Sequence, residues 1–166
     1  MRYEAPETVK DAVKLLAGAK GRARVLAGGT DLLVQMRAGM AGLDLVVDIK
    51  RIAGLHAIKK EAGGFRIGAA VPSAELTEHP GVKKIWPGVV EAASLIGSTQ
   101  IQGRATIVGN LCNASPAADS VPAMVAAGAK ARIVGPKKRR DMPVEKVVTG
   151  PGKTALGKGE FVESIF

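Results

Sequence analysis

Two short stretches hold residues that could grip a ligand through the backbone. "LAGGTDLL", residues 26–33, sets two glycines between an apolar run and the start of a helix. Such a turn leaves N–H groups pointing one way, and the lack of a Cβ lets a bulky phosphate reach them. "TIVGNLCNASPAAD", residues 106–119, offers Gly109 for close backbone approach, Thr106 and Asn110 as short hydrogen-bonding groups, and Asp119 as a carboxylate suited to sugar hydroxyls. Together they could form two walls of an extended ligand site. The same residues also serve plainer purposes. Gly28-Gly29 makes a tight strand-to-helix turn, and Asn110, Asn113 and Asp119 suit the capping of turns and of a helix starting near Ser120.

Other chemistries lack their residues. Cys112 is the only cysteine, and with His56 and His79 it makes no zinc pattern, so no metal site is expected. No acid–base pair stands out as catalytic; His56 reads as structural, and Cys112 as a small packed residue with no basic neighbour to activate it. No stretch matches the Rossmann glycine fingerprint. "GKTALGKG", residues 152–159, fits the spacing of a P-loop at Gly152, Gly157 and Lys158, but Gly159 stands where Ser or Thr must hold magnesium, so it reads as a loop. The net charge of +9 raises nucleic acid as a partner, and "KARIVGPKKRR", residues 130–140, is its densest source. That run also has the chemistry of a hairpin loop, and the aromatic residues, 3% of the chain, lie far from it. No nucleic acid is expected.

The elements that must position these residues follow from periodicity. At 166 residues the chain suits one domain of two lobes, with a core of Val, Ile, Leu and Ala. Residues 1–54 alternate β and α. "ETVKDAVKLLAGA" spaces Val9, Ala12, Val13 and Leu16 for a helix with a Thr8/Asp11 capping box and an end at Gly18. A strand then runs to Ala27, a helix capped by Thr30 or Asp31 stops near Gly39, and "LDLVVDI" is a buried strand. Residues 55–166 open with a hairpin turning at Gly63-Gly64 and a short helix capped by Ser73. A longer helix from Pro87 shows Val89, Ala93 and Ile96 on its apolar face. "PAMVAAGA" predicts a helix, "KARIV" a strand, and "GEFVESIF" a closing strand. The opening residues lack a signal-peptide core, and no apolar run nears the ~20 residues that span a membrane. With one cysteine, a cytoplasmic protein is expected.

"AGGTD", Ala27 to Asp31, and "TIVGN", Thr106 to Asn110, taken in this order and separation, resemble the two FAD motifs of the flavin-binding medium subunit of molybdenum hydroxylases, the family of carbon monoxide dehydrogenase and xanthine dehydrogenase. The likeness runs from "YEAPETVKDAVKLLA" through "LVVDIKRIAGL" to the chain's end. It implies an α+β fold of two lobes, a type shared with vanillyl-alcohol-oxidase-like flavoproteins: a small lobe at 1–54 carrying the first motif and a larger one at 55–166 carrying the second. It implies noncovalent FAD between the lobes, with Leu26, Ala27, Gly28, Gly29, Thr30 and Asp31 on one side and Thr106, Ile107, Gly109, Asn110 and Asp119 on the other. Asp119 matches the acidic residue near the flavin's polar chain. The function implied is that of an electron outlet. FAD takes electrons from iron–sulfur clusters and passes them to an external acceptor, in a complex with a molybdopterin-binding large subunit and a [2Fe-2S] small subunit. The chain departs from the family at Val108, where a glycine is common, and family subunits continue beyond Phe166 into a further α+β domain. Two other functions fit the residues: an independent FAD-dependent oxidoreductase, and a non-enzymatic basic binding module.

Overall fold

A computed structural model describes residues 1–39 and 42–166. The first sheet has β1 (Arg2–Glu4), β2 (Ala23–Leu26) and β3 (Leu45–Asp48) in the order β1-β3-β2, and both pairings are parallel. Parallel neighbours need crossovers, and α1 (Val9–Gly18) and α2 (Leu32–Arg37) lie in them. Thr8 starts α1 as expected, its Oγ1 accepting the Asp11 N–H at 3.1 Å. The box is not reciprocal. Asp11 is one methylene shorter than the usual Glu, and its carboxylate instead takes the Thr8 hydroxyl proton at 2.6 Å. α1 buries Ala12 and Leu16 against a fully buried β3, whereas α2 has no buried residue. Neither Thr30 nor Asp31 caps α2 with its side chain, contrary to the sequence expectation; Asp31, at the helix edge, already has helical φ and ψ.

The second sheet is antiparallel throughout, in the order β4 (Ile58–Glu61), β5 (Gly64–Gly68), β10 (Phe161–Ile165), β6 (Lys130–Val134), β7 (Arg139–Pro143). β4 and β5 form the expected hairpin. Its turn is Ala62-Gly63 rather than Gly63-Gly64, because the register pairs Glu61 with Gly64 and leaves Gly63 to take φ +87°. Short helices follow: α3 (Ser73–Glu78), α4 (Pro80–Ile85), α5 (Pro87–Ser94), α6 (Thr99–Gln102), α7 (Ile107–Asn113) and α8 (Ser120–Ala126). α5 starts at Pro87 and buries Val89 and Ala93 as its pattern requires. Ser73 does not cap α3. Pro72 holds that position, the Ser73 N–H goes to the Ala105 carbonyl at 2.7 Å, and its Oγ has no partner among the described residues.

β6 (Lys130–Val134) and β7 (Arg139–Pro143) form the basic hairpin, followed by a 3-10 turn at Val144–Lys146. β8 (Val148–Gly150) and β9 (Lys153–Thr154) make a small ribbon before β10 (Phe161–Ile165) enters the middle of the large sheet. One hydrophobic cluster unites the two sheets, running from Ala12, Leu16 and Val47 through Ile67, Val71 and Leu111 to Ile133 and Val162. Packing at that continuity fixes the two sheets against each other, and with them the loops at their junction.

Candidate functional site

The turn after β2 leaves the edge of the parallel sheet where strands end, the usual place for ligands on such sheets. Gly28 is needed there for packing. A Cβ on it would lie 2.0 Å from the Arg104 carbonyl oxygen and 3.0 Å from the Ala105 Cα. The first motif therefore rests directly on the residues that lead into the second. Gly29 is needed for its backbone, with φ at +83°. Among the described residues no acceptor takes the N–H of Gly28, Gly29, Thr30, Asp31 or Leu32. Five successive donors are thus free beside a cleft that all five residues line.

The second motif differs from its sequence reading. Residues 107–113 are helix rather than turn: Thr106 caps α7, its Oγ1 accepting the Gly109 N–H at 2.8 Å. Gly109 thus spends its amide on the cap; a Cβ there would come within 3.0 Å of that hydroxyl. Asn110 Oδ1 accepts from both the Ser120 N–H (3.2 Å) and Oγ (2.8 Å), holding the start of α8. Val108 lies within helical backbone, so its side chain meets no φ penalty. Ala114, at φ 52°, is the only non-glycine with positive φ among the described residues. Gln35 Nε2 on α2 donates to Asn113 Oδ1 on α7 at 3.1 Å, joining the two walls across 78 positions of sequence.

Of the residues assigned by resemblance, Leu26 to Asp31, Thr106, Gly109 and Asn110 line one cleft of about 450 Å³. Ile107 instead points into the core, 1% exposed, and Asp119 is exposed at the head of α8, outside the lining. A third wall was missed by sequence reasoning. Gly152, Thr154 and Leu156 to Val162 also face the cleft. The stretch is not a P-loop; the Gly152 N–H is tied to the Ala114 carbonyl at 2.9 Å, and Gly159 takes φ +81° where a Cβ would meet Ala17 at 2.8 Å. Its four glycines between residues 150 and 159 were the available signal. Glu160 anchors this wall, accepting the Gly157 N–H at 2.8 Å and hydrogen bonds from both terminal nitrogens of the Arg140 guanidinium. The guanidinium beside it outweighs burial and holds the Glu160 carboxyl below its ordinary value.

The remaining candidates add no catalytic group. Cys112 lines the cleft, but burial pushes its thiol up to about 12. His56 Nε2 lies 2.7 Å from the Lys50 carbonyl, a structural contact. The three arginines of the basic hairpin are paired: Arg132 with Asp141, Arg139 with Glu163 and Arg140 with Glu160. Among the described residues there is no cluster of metal-ligating side chains and no helix long and apolar enough to cross a membrane.

The profile of the family described as "FAD binding domain in molybdopterin dehydrogenase" matches residues 1–166. The chain belongs to that family. It is 37% identical over 161 residues to the xanthine dehydrogenase FAD-binding subunit of Escherichia coli O157:H7, covering 96% of this chain and 55% of that one. It is 34% identical to the carbon monoxide dehydrogenase medium chain of Hydrogenophaga pseudoflava, covering 98% and 57%. The solved structure of reconstituted CO dehydrogenase from Oligotropha carboxidovorans superposes with a TM-score of 0.96 at 31% identity, covering 99% of this chain and 58% of that one. The α+β fold is therefore that of this FAD-binding family, and the chain spans little more than half the length of these relatives.

Proposed function

We propose that this chain is the FAD-binding portion of an electron-transfer subunit in a molybdenum-containing hydroxylase or dehydrogenase complex. The observation that carries the reading is the run of five free amides from Gly28 to Leu32, facing Thr106 and Asn110 across a cleft with no acid–base pair. Free N–H groups at a water-accessible turn match the pyrophosphate of a dinucleotide, which supplies acceptors in number. The length of the cleft, from the β2 turn past α7 to the third wall, suits an extended ligand. Gly28, Gly29 and Thr30 would hold the pyrophosphate; Leu26, Ala27 and Asp31 flank it. Thr106, Gly109 and Asn110 form the facing wall, with Ile107 fixing α7 from the core. Asp119 would reach only a part of the ligand that extends past α7.

FAD, when bound, accepts and releases electrons, and the protein groups bind and orient it. The cleft's own residues accordingly serve as walls and donors. On this reading the partners are an iron–sulfur subunit and a molybdopterin-binding subunit, the terminal acceptor is external, and one unreactive cysteine suits a reducing, cytoplasmic setting. The test is the visible spectrum of the purified chain with added flavins. Bound FAD released intact on denaturation is the expected result; preference for FMN, or no binding of either, would sink the assignment.

A further inference from the structure

We propose that Lys50 is a positioning residue for the ligand-binding turn, its ammonium group fixing the Ala27–Gly28 peptide so that the Gly28 N–H faces the cleft. The inference rests on reading that cleft as a dinucleotide site. Lys50 Nζ donates to the Ala27 carbonyl at 3.1 Å and to both Asp48 carboxylate oxygens at 2.8 Å. Asp48, at the end of β3 and 6% exposed, also accepts the Lys50 N–H at 2.9 Å and the Tyr3 hydroxyl at 2.6 Å. The ammonium is thereby held by a nearly buried carboxylate that is itself tied to β1. Burial alone would raise the Asp48 carboxyl, but the hydrogen bonds from Lys50 and Tyr3 outweigh it and the net direction is down.

The geometry of a trans peptide gives this contact its consequence. All described peptides are trans, and in a trans peptide the C=O and N–H point in opposite directions. The Ala27 carbonyl points at Lys50, which does not line the cleft, whereas Ala27 and Gly28 do. The Gly28 N–H is aimed the other way, and it has no acceptor among the described residues. Glycine makes the choice a real one. A peptide flipped between residues 27 and 28 would carry Gly28 to positive φ, which glycine tolerates, yet Gly28 is not among the glycines with positive φ. Lys50 selects the orientation that offers a donor over the one that would aim a carbonyl at an anion. A cation on the carbonyl also polarises the N–H and strengthens it as a donor.

The experiment compares wild type, Lys50→Met and Lys50→Arg in the full 166-residue chain, titrated separately with FAD, ADP and riboflavin. Lys50→Met is expected to weaken FAD and ADP alike by about tenfold, the worth of one charge-assisted contact, and to leave riboflavin unchanged because it has no phosphate. Lys50→Arg keeps the cation and should recover most of the loss. Equal weakening of riboflavin and ADP would show general loosening and overturn the positioning role, as would unchanged FAD and ADP affinity in Lys50→Met. Failure of the wild-type chain to take FAD would overturn the cleft assignment itself, an outcome read before any variant. If Lys50→Met fails to fold by circular dichroism, Lys50→Gln, which keeps a polar end without the charge, carries the same expectations.

Discussion

At the scale of single residues, the two glycines of the first motif do separate jobs. Gly28→Ala forces a Cβ against the backbone oxygen of Arg104, which cannot swing aside as a side chain can. A stability loss of about 1–3 kcal/mol is expected from such overpacking, read as a lowered midpoint in urea, with FAD binding weakened because the two motifs are pried apart. Gly29→Val meets a different obstacle. It puts a β-branched side chain at φ +83° and within 2.9 Å of Leu26, so it should lose folded protein rather than only ligand. Asn110→Ala removes the acceptor that holds Ser120, and should cost about 1 kcal/mol through the start of α8, whether or not FAD is present. Cys112 yields a chemical prediction. Burial pushes its thiol up to about 12, so although it lines the cleft at intermediate exposure, a disulfide reagent should label the native chain much more slowly than the unfolded one; equal rates would contradict the raised thiol. That these glycines and asparagine mattered was legible in the sequence. Their reasons were not, because the Arg104 carbonyl and the Ser120 hydroxyl that define them are brought together only by tertiary packing.

At the scale of elements, charges on the large sheet pair between strands. Arg66 on β5 holds Glu61 on the neighbouring β4 and Arg132 on β6 holds Asp141 on the neighbouring β7, while Arg139 on β7 reaches past β6 to Glu163 on β10. Opposite charges on adjacent strands favour this register. Asp141 and Glu160 are held below their ordinary values chiefly by hydrogen bonds from Arg132 and Arg140. Their folded forms therefore bind protons less tightly than the unfolded chain does. The stabilisation is complete above about pH 4.5 and is lost as pH falls through the lowered folded values. Urea midpoints across pH 3 to 7 should drop on the acid side, and Glu160→Gln should flatten part of that drop. Arg140→Met goes further, leaving Glu160 largely buried without its cation, and should cost about 1–3 kcal/mol while loosening the wall from Gly157 to Val162. Long or strongly patterned elements such as α1, α5 and β6 could be read from their sequences. α7 could not: seven residues containing Gly109 and two asparagines look like turn chemistry, and only Thr106 as a cap with Ile107, Val108 and Leu111 buried makes them a helix. The third wall escaped for a related reason, since a glycine-rich loop has no periodicity to betray what it faces.

At the scale of the whole molecule, a continuous core joins the parallel and antiparallel sheets, so the cleft is built before any ligand arrives. The cleft's charged lining residues are Arg24, Asp31, Lys158 and the Arg140-paired Glu160, with a cysteine whose thiol is held protonated. None of these is arranged as a base beside a nucleophile. The proposed electron-transfer role asks the cleft only to bind and orient the flavin, through amides, hydroxyls and small side chains. The decisive measurement is stopped-flow reduction of bound FAD, first with candidate hydroxylase substrates alone and then with iron–sulfur and molybdopterin-bearing subunits added. The chain alone should show no reduction over seconds, and the assembled complex should show reduction whose rate depends on substrate concentration. Rapid reduction of the isolated chain would mean that a substrate pocket exists within these 166 residues, and the molecule would then be an FAD-dependent oxidoreductase in its own right.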